Sequence, residues 1–466
     1  MKKLTFLVFT VLYLGIGTGR AQYTVLHSFN STDGLNPWST LAISGNVLYG
    51  MSGNGGANND GCIFSIHTDG SSYIDLFDFN ITNGRGAEGS LLLLGNKLYG
   101  MATYGGLYGQ GNLFSIDTNG NQFKVLLDFN NLDGATPAGS LMASGKLLFG
   151  MTSWGGINNK GEVFSIDTSG NNFKDLLDFN VTNGERPWGD VVLAGRTLFG
   201  MSSLGGANGV GNIFSIDSSG GNFKDLLDFN GANGKSPRGS LTLSLSGSVL
   251  YGMTGSGGLK DSGCVFSIDT SGAAYRDLLD FGGLNGVNPA TSYLTLSGST
   301  LYGMTNYGGT RSLGLIFSID TDRTGFKDLF DFNTSKGAYP AGSLTLSGNT
   351  FYGTTSYGGS HFDGVVFKLQ DTSIVTSSNK LTPTPASINV YPNPSGGTFT
   401  FQTSVVRGQL SVEVYNVLGE KVYSQSTIDK AQWTVNLTSQ PDGVYFYRII
   451  SNTGSLIQSG KLLIEK

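Results

Sequence analysis

Aromatic and charged side chains stand at two loop positions of the chain, within a pattern whose other residues are copied almost unchanged seven times. One position directly precedes a Gly-Gly pair and holds Asn54, Tyr104, Trp154, Leu204, Ser256, Tyr307 and Tyr357. The other follows a recurrent proline position and holds Trp38, Glu88, Ala138, Trp188, Arg238, Ala290 and Ala341. Aromatic rings on an exposed loop face stack well against sugars and peptides. We therefore predict a glycan- or peptide-binding site at Trp38, Glu88, Tyr104, Trp154, Trp188, Arg238, Tyr307 and Tyr357; the alternative is that these side chains pack between repeats.

Patterns typical of catalysis and metal binding are weak in this chain. His27, His67 and His361 are scattered, and no His/Cys cluster has the spacing of a metal site. No Gly-x-Ser-x-Gly nucleophile motif is present. Glu88 is the one acidic residue after the proline position, whereas a glycosidase needs two carboxylates. We predict no catalytic residue, no metal and no cofactor, so we expect a binding protein. The alternatives are a structural adhesion module and a polysaccharide hydrolase or lyase.

A recurrent Asp-Phe-Asn motif offers a further set of carboxylates. Its aspartates are Asp78, Asp128, Asp178, Asp228 and Asp331. Asp and Asn side chains cap turns through the neighbouring backbone, so a structural role is predicted for all of them. The segment 128–134 carries oxygen ligands suited to Ca²⁺, but it lacks the bidentate Glu that closes a calcium loop.

These loops belong to a repeat of about 50 residues. The aromatic residue of a Leu-Tyr-Gly-Met motif recurs at Tyr49, Tyr99, Phe149, Phe199, Tyr251, Tyr302 and Tyr352. Within the second copy, short apolar runs bounded by Gly, Asn and Asp predict strands a (90–94), b (97–103), c (112–117) and d (123–130). Four-stranded units of this length are typical of propeller blades.

The two ends of the array indicate a ring. A d-type strand at 23–30 precedes the first a strand, and the seventh copy stops after strand c at 366–369. If the N-terminal strand completes the last blade, no sheet edge is left free. We therefore predict an all-β chain with a seven-bladed β-propeller over residues 22–369, closed by an N-terminal strand. An open stack of repeats is the alternative.

The stretch Leu-Phe-Gly-Met-Thr-Ser-Trp-Gly-Gly-Ile-Asn-Asn-Lys-Gly-Glu-Val-Phe-Ser-Ile-Asp, residues 148–167, resembles the GloVer tandem repeat. The family's motif is Leu-Tyr-Gly-Thr-Thr, and most copies in this chain have Met in place of its first Thr. Only the last copy has Thr at that position, within residues 352–355. The resemblance implies a secreted protein of a family whose C-terminal anchors differ. It implies no established activity.

The carboxyl-terminal part has a different composition. Residues 370–386 are rich in Ser, Thr and Pro, as in a linker, and the short strands of 387–466 predict a small Ig-like β-sandwich. Four motifs are similar to those of the type IX secretion C-terminal sorting domain (type A), and their residues include Tyr391, Pro392, Asn393, Pro394, Gly419, Gly443, Tyr445 and Lys466. The resemblance implies two partners, the type IX secretion translocon and the peptidase that removes the domain. It also implies a secreted or cell-surface location.

The amino terminus and the composition agree with an exported β protein. Residues 1–21 predict a signal peptide, with a basic start, an apolar run and small residues before Ala21. Gly makes up 72 of 466 residues and charged residues only 13%, which disfavours long helices. With a net charge of −5 and no basic run, no nucleic-acid partner is expected. No later apolar run is long enough for a transmembrane span.

Overall fold

The computed structural model describes residues 21–289, 292–371, 389–402, 410–416, 421–428, 432–451 and 456–466. Residues 1–20 of the predicted signal peptide, most of the predicted linker, Ala290 and Gly419 lie outside these ranges. Strands form nearly all of the described secondary structure, and its one helical element is a 3₁₀ turn at Gly283–Asn285. The prediction of an all-β chain is therefore confirmed. In the same ranges, no helix is long and apolar enough to cross a membrane.

The chain divides into two compact units, residues 1–376 and 377–466. The first unit repeats a four-stranded antiparallel sheet in the order a-b-c-d. The a strands are β2 (Ala42–Ser44), β6 (Leu92–Leu94), β10 (Met142–Ser144), β14 (Val192–Ala194), β18 (Thr242–Leu243), β22 (Thr295–Ser297) and β27 (Thr345–Ser347). The b strands are β3 (Val47–Ser52), β7 (Lys97–Ala102), β11 (Leu147–Thr152), β15 (Thr197–Ser202), β19 (Val249–Met253), β23 (Thr300–Thr305) and β28 (Thr350–Tyr357).

The c strands, like the b strands, lie inside each sheet and are almost entirely buried. They are β4 (Cys62–His67), β8 (Asn112–Asp117), β12 (Glu162–Asp167), β16 (Asn212–Asp217), β20 (Cys264–Asp269), β24 (Leu315–Asp320) and β29 (Val365–Gln370). The d strands are β5 (Ile74–Asp78), β9 (Lys124–Asp128), β13 (Lys174–Asp178), β17 (Lys224–Asp228), β21 (Arg276–Asp280) and β25 (Lys327–Asp331). The a and d strands are shorter than predicted. Ser90, for example, donates its N–H to Ser140 Oγ of the next repeat at 2.9 Å instead of joining the sheet.

The last sheet takes its outer strand from the start of the described chain. Strand β1 (Gln22–Ser28) pairs antiparallel with β29, and β26 (Ala338–Pro340) and β27 both pair with β28. The seventh repeat also contacts the first: Ser343 N–H donates to Thr40 Oγ1 at 2.8 Å, and Thr354 Oγ1 donates to the Ser39 carbonyl at 3.0 Å. Contacts thus run from the last repeat back to the first.

Each pair of neighbouring repeats is joined by two phenylalanines packed edge to face. One ring follows a d strand, the other lies within the next c strand, and their centroids are 5.1–5.5 Å apart. Such a pair contributes about 0.5–1.5 kcal/mol beyond the area it buries. The pairs are Phe29–Phe64, Phe79–Phe114, Phe129–Phe164, Phe179–Phe214, Phe229–Phe266, Phe281–Phe317 and Phe332–Phe367.

The second unit contains two sheets around one apolar cluster. The first has the order β30 (Asn389–Tyr391), β31 (Thr398–Gln402), β34 (Gln432–Asn436). The second has the order β33 (Lys421–Ile428), β32 (Leu410–Tyr415), β35 (Gly443–Ser451), β36 (Leu456–Ile464). Phe401 stacks on Trp433 at 5.6 Å and meets Tyr447 edge-on at 5.0 Å, so aromatic rings from both sheets form the core.

The glycine of the Tyr-Gly-Met motif leaves room for the c-strand phenylalanine. Gly200 pairs with Phe214 across the sheet, and a Cβ on Gly200 would lie 2.6 Å from Phe214 Cζ. We expect Gly200→Ala to lower the free energy of unfolding by about 1–3 kcal/mol, because overpacking forces a buried ring to move. Urea unfolding followed by circular dichroism measures this. Gly221→Ala is the matched control, since its Cβ would meet nothing within 4 Å, and equal losses in both variants would contradict the explanation.

Candidate functional site

A belt of hydrogen bonds fixes the backbone just inside the variable loop position. Backbone N–H groups donate to side-chain oxygens of the next repeat, with six bonds joining Thr40 to Ser90, Ser90 to Ser140, Ser140 to Asp190, Asp190 to Ser240, Tyr293 to Ser343, and Ser343 to Thr40. Burial raises the pKa of Asp190, and burial together with Asp190 raises that of Tyr293 to about 12. In five repeats the bonded backbone N–H lies two residues after the position that carries Trp38 and its equivalents, and in the sixth repeat the Tyr293 N–H lies three residues after it.

The position after the proline converges on one cavity of about 270 Å³. Its walls are Trp38, Glu88, Ala138, Trp188, Arg238, Asn306 and Ala341. Four of the predicted site residues, Trp38, Glu88, Trp188 and Arg238, therefore meet in one place, and the small Ala138 and Ala341 leave space between them. The Arg238 guanidinium carbon lies 5.7 Å from the centroid of the Trp188 ring. The cavity thus combines two indoles with one acidic and one basic group.

Glu88 is the acidic group of this cavity, and it is only partly exposed. Burial raises its pKa from 4.5 to about 7. The carboxyl therefore changes charge near neutral pH, and its proton is a hydrogen-bond donor below that point.

A second cavity of about 480 Å³ adjoins the first, and Trp38 and Glu88 line both. Its other walls are Gly53, Asn54, Asn59, Asp60, Arg85, Gly86 and Tyr104. The predicted residue Tyr104 is exposed here, and its pKa is raised by burial and by Glu88. The sequence indicated no acidic partner for Glu88 at its own loop position, but Asp60 enters the same cavity from the Gly-Gly loop. The two cavities therefore share two walls, and the second cavity is formed by residues of the first two repeats.

The loop face also carries a strained position that the sequence analysis missed. The residue before the proline position has φ between 52° and 64° in all seven repeats, at Asn36, Gly86, Thr136, Arg186, Ser236, Asn288 and Tyr339. This left-handed backbone is unfavourable for Thr, Arg and Tyr. Each of these residues donates its N–H to a carbonyl of the preceding repeat, as Arg186 does to Lys160 at 2.9 Å. The sequence carried one signal for this position, because its residue type varies while the neighbouring residues of the repeat stay the same.

The remaining predicted aromatic residues contact side chains that stand at this left-handed position. The guanidinium carbon of Arg186 lies 3.8 Å from the centroid of the Trp154 ring. Tyr339 lies between Tyr307 and Tyr357, with ring centroids 5.3 and 6.0 Å away. None of these three predicted aromatics is among the described residues that line the two cavities.

The Asp-Phe-Asn aspartates have a structural role, but they brace the Gly-Gly loop 21 residues earlier instead of capping their own turn as predicted. Asp178 Oδ1, for example, accepts the Ile157 N–H at 2.7 Å, and the same bond recurs in five other repeats. In the third repeat, oxygens of Glu162, Asp175 and Asp178 lie within 4.8 Å of one another. Burial and the two aspartates raise the pKa of Glu162 to about 9, and burial and Asp178 raise that of Asp175 to about 7. This cluster is the candidate metal site of the described chain, and the sequence analysis predicted none.

The sorting-motif residues of the second unit hold its chain ends together. Asn393 Nδ2 donates to the Lys461 carbonyl at 2.7 Å, and Asn393 Oδ1 accepts the Leu463 N–H at 2.8 Å. Lys466 Nζ donates to the carbonyls of Thr438 and Gln440, both at 2.8 Å. The Tyr-Pro-Asn-Pro motif and the C-terminal lysine therefore both stabilise the last strand.

Comparison with known families confirms both sequence resemblances. Residues 11–152, 142–258 and 246–390 match the Gloeobacter/Verrucomicrobia repeat, in three consecutive stretches. Residues 389–465 match the secretion system C-terminal sorting domain. That domain indicates a secreted or cell-surface protein, as predicted.

Individual known proteins are similar over limited stretches or at low identity. Ulvan lyase NLR42 of Nonlabens ulvanivorans is 28% identical over 97 residues, which are 21% of this chain and only 17% of that protein. The BP39L lectin from Burkholderia pseudomallei has a TM-score of 0.49 at 7% identity, covering 75% of this chain and 95% of the lectin. The polysaccharide lyase Uly1 has a TM-score of 0.47 at 11% identity, covering 74% and 91%.

The raised pKa of Glu88 predicts a pH-dependent stability. A carboxyl whose pKa rises from 4.5 to about 7 on folding stabilises most below pH 4.5, and this contribution is lost as the pH rises to 7. Between pH 5 and pH 8 the free energy of unfolding of the wild type should fall by up to about 3 kcal/mol more than that of Glu88→Gln. Urea unfolding at both pH values measures this. Glu185→Gln removes a carboxylate outside both cavities and should show the same change in the free energy of unfolding between the two pH values as the wild type. If Glu88→Gln also shows the wild-type change, the raised pKa does not belong to Glu88.

Proposed function

Because the chain belongs to the Gloeobacter/Verrucomicrobia repeat family and ends in a secretion system C-terminal sorting domain, we propose that it is an exported, non-enzymatic binding protein that presents one loop face to a glycan. A peptide is the other ligand class compatible with an aromatic loop face. The observation that carries the proposal is the convergence of Trp38, Trp188, Glu88 and Arg238 on one cavity.

We propose that the first unit is a seven-bladed β-propeller over residues 22–369. The pairing of β1 with β29 supports closure by the N-terminal strand, and the hydrogen bonds of Ser343 to Thr40 and of Thr354 to Ser39 support it independently. The proposal further includes a signal peptide at 1–21, a linker at 370–386 and an Ig-like sorting domain at 387–466. The two sheets around one aromatic core support the last assignment.

The size and chemistry of the central cavity favour a sugar ring. A volume of about 270 Å³ lies just below the ~300–1,000 Å³ of pockets for drug-sized ligands, so one ring or one chain end fits. Indole faces pack against the C–H groups of a sugar, while Glu88 and Arg238 supply a hydrogen-bond acceptor and donor for its hydroxyls. The adjoining cavity, with Tyr104 on its wall, offers room for further units of the same chain.

A polysaccharide hydrolase or lyase is the second candidate, and the partial burial of Glu88 in the cavity, which raises its pKa, favours it. A general acid or base works best with a pKa near the working pH, and that of Glu88 is raised to about 7. Asp60 in the adjoining cavity supplies a second carboxyl group, as hydrolysis of a glycoside requires. A purely structural adhesion module remains the third candidate.

Glycan binding should depend on the central indoles. On a glycan array that includes anionic polysaccharides, Trp188→Ala should weaken binding at least about tenfold, because one stacking face is lost. Trp154→Ala is the matched control, since this indole is covered by Arg186 outside the cavity, and it should bind as the wild type does. Equal binding by the wild type and Trp188→Ala would refute the site.

The same array also separates the three candidates. Release of oligosaccharide by the wild type that disappears in Glu88→Gln would establish the enzyme instead. If neither glycans nor peptides bind at any concentration tested, the structural role is favoured.

Export should require the second unit. Deletion of residues 387–466 should leave the protein inside the outer membrane, and fractionation of the natural host with immunoblotting measures this. Asn393→Ala should reduce surface delivery, because it removes both side-chain bonds to the last strand. Thr398→Ala, at an exposed position of strand β31 in the same unit, is the control. Normal delivery of the deletion variant would refute the sorting role.

A further inference from the structure

Three carboxylates meet inside the third repeat, between strands β12 and β13. Glu162 opens β12 and pairs with Asp178, and a bulge in β13 brings Asp175 to the same side, so that oxygens of all three lie within 4.8 Å of one another. Glu162 is 0% exposed, and neither of its carboxylate oxygens has a hydrogen-bond partner. Burying an unpaired carboxylate is costly, so a missing partner is expected at this point.

The equivalent position in other repeats shows what kind of partner is missing. Cys62, Asn112, Asn212 and Cys264 occupy it in four other repeats, and each donates a hydrogen bond to the carbonyl of the residue before the corner glycine. In the third repeat that carbonyl belongs to Asp133. In its ionised form Glu162 has only acceptors, at a place where four other repeats have a donor.

A cation satisfies this cluster better than a proton does. A proton on Glu162 would serve one of its two oxygens and leave the other without a partner. Ligand oxygens lie about 2.3–2.6 Å from Ca²⁺, so oxygens around one ion are separated by at most about twice that distance, which agrees with 4.8 Å. Mg²⁺ usually keeps several waters, which a buried site does not favour.

We propose that Glu162, Asp175 and Asp178 bind one Ca²⁺ ion within the third repeat. Asp178 contributes Oδ2, because its Oδ1 already accepts the Ile157 N–H. The ion joins strands c and d and, through Asp178, the Gly-Gly loop that carries Trp154. This site is independent of the proposed glycan cavity, which none of the three residues lines.

Isothermal titration of the full, EGTA-treated protein with CaCl₂ tests the proposal. One ion should bind, and saturating Ca²⁺ should raise the melting temperature by at least about 3 °C. Glu162→Asn should weaken Ca²⁺ binding at least about tenfold. This variant should fold, because Asn112 and Asn212 occupy the equivalent position in the neighbouring repeats.

Asp225→Asn is the matched control, because Asp225 occupies in the fourth repeat the place of Asp175, next to Asn212 instead of a glutamate. It should bind Ca²⁺ as the wild type does. The proposal is overturned if the wild type shows neither heat of binding nor a change in melting temperature. It is equally overturned if folded Glu162→Asn binds Ca²⁺ with wild-type affinity, or if MgCl₂ produces the same effect at the same concentration.

Discussion

The edge-to-face contact between a d-strand phenylalanine and the c-strand phenylalanine of the next repeat is the interaction on which the first unit depends. A four-stranded sheet of this length cannot bury its own two faces, so every repeat needs a neighbour on each side. The contact explains several motif residues together. The Tyr-Gly-Met glycine leaves space for the c-strand ring, as at Gly200. The second phenylalanine directly follows the d strand, and its N–H donates to the glycine carbonyl before strand c, as Phe179 does to Gly161 at 2.9 Å. Phe29 makes the same contact, although it precedes the first repeat.

This constraint separates the residues that hold the molecule together from those that distinguish one repeat from another. The belt through Thr40 and its equivalents fixes the backbone around the centre whatever side chain stands two residues earlier. Trp38, Glu88 and Arg238 can therefore differ without disturbing the packing below them. The left-handed residues of the loop face also have a backbone fixed by one hydrogen bond to the preceding repeat, so Arg186 and Tyr339 occupy the same place with unrelated side chains.

Much of this arrangement could be predicted from the sequence, because each element is a local pattern copied at a regular interval. The strand types, the loops and the place of a strand before the first repeat all followed from periodicity and from turn residues. The convergence of Trp38, Glu88, Trp188 and Arg238 followed from their common position in the repeat. Contacts between different positions could not be obtained in this way. The cover of Arg186 over Trp154 and the entry of Asp60 beside Glu88 depend on how one repeat is rotated against the next. Glu162 was not predicted as a metal ligand, because it stands within a strand where other repeats have asparagine or cysteine and where a buried carboxylate is not expected.

The pairing of β1 with β29 has a kinetic consequence. Tyr23 of β1 pairs with Leu369 of β29. Strand β1 is the first of the described strands to be synthesised, so its edge stays uncovered until almost the whole repeat array has been made. Contacts this distant in sequence slow folding, because the chain loses much entropy before they form. Once they have formed, the first and last described repeats contact each other, and in the closed ring that we propose the array is expected to open as one unit. Slow closure followed by cooperative resistance to opening suits a secreted or cell-surface protein, which extracellular proteases can reach.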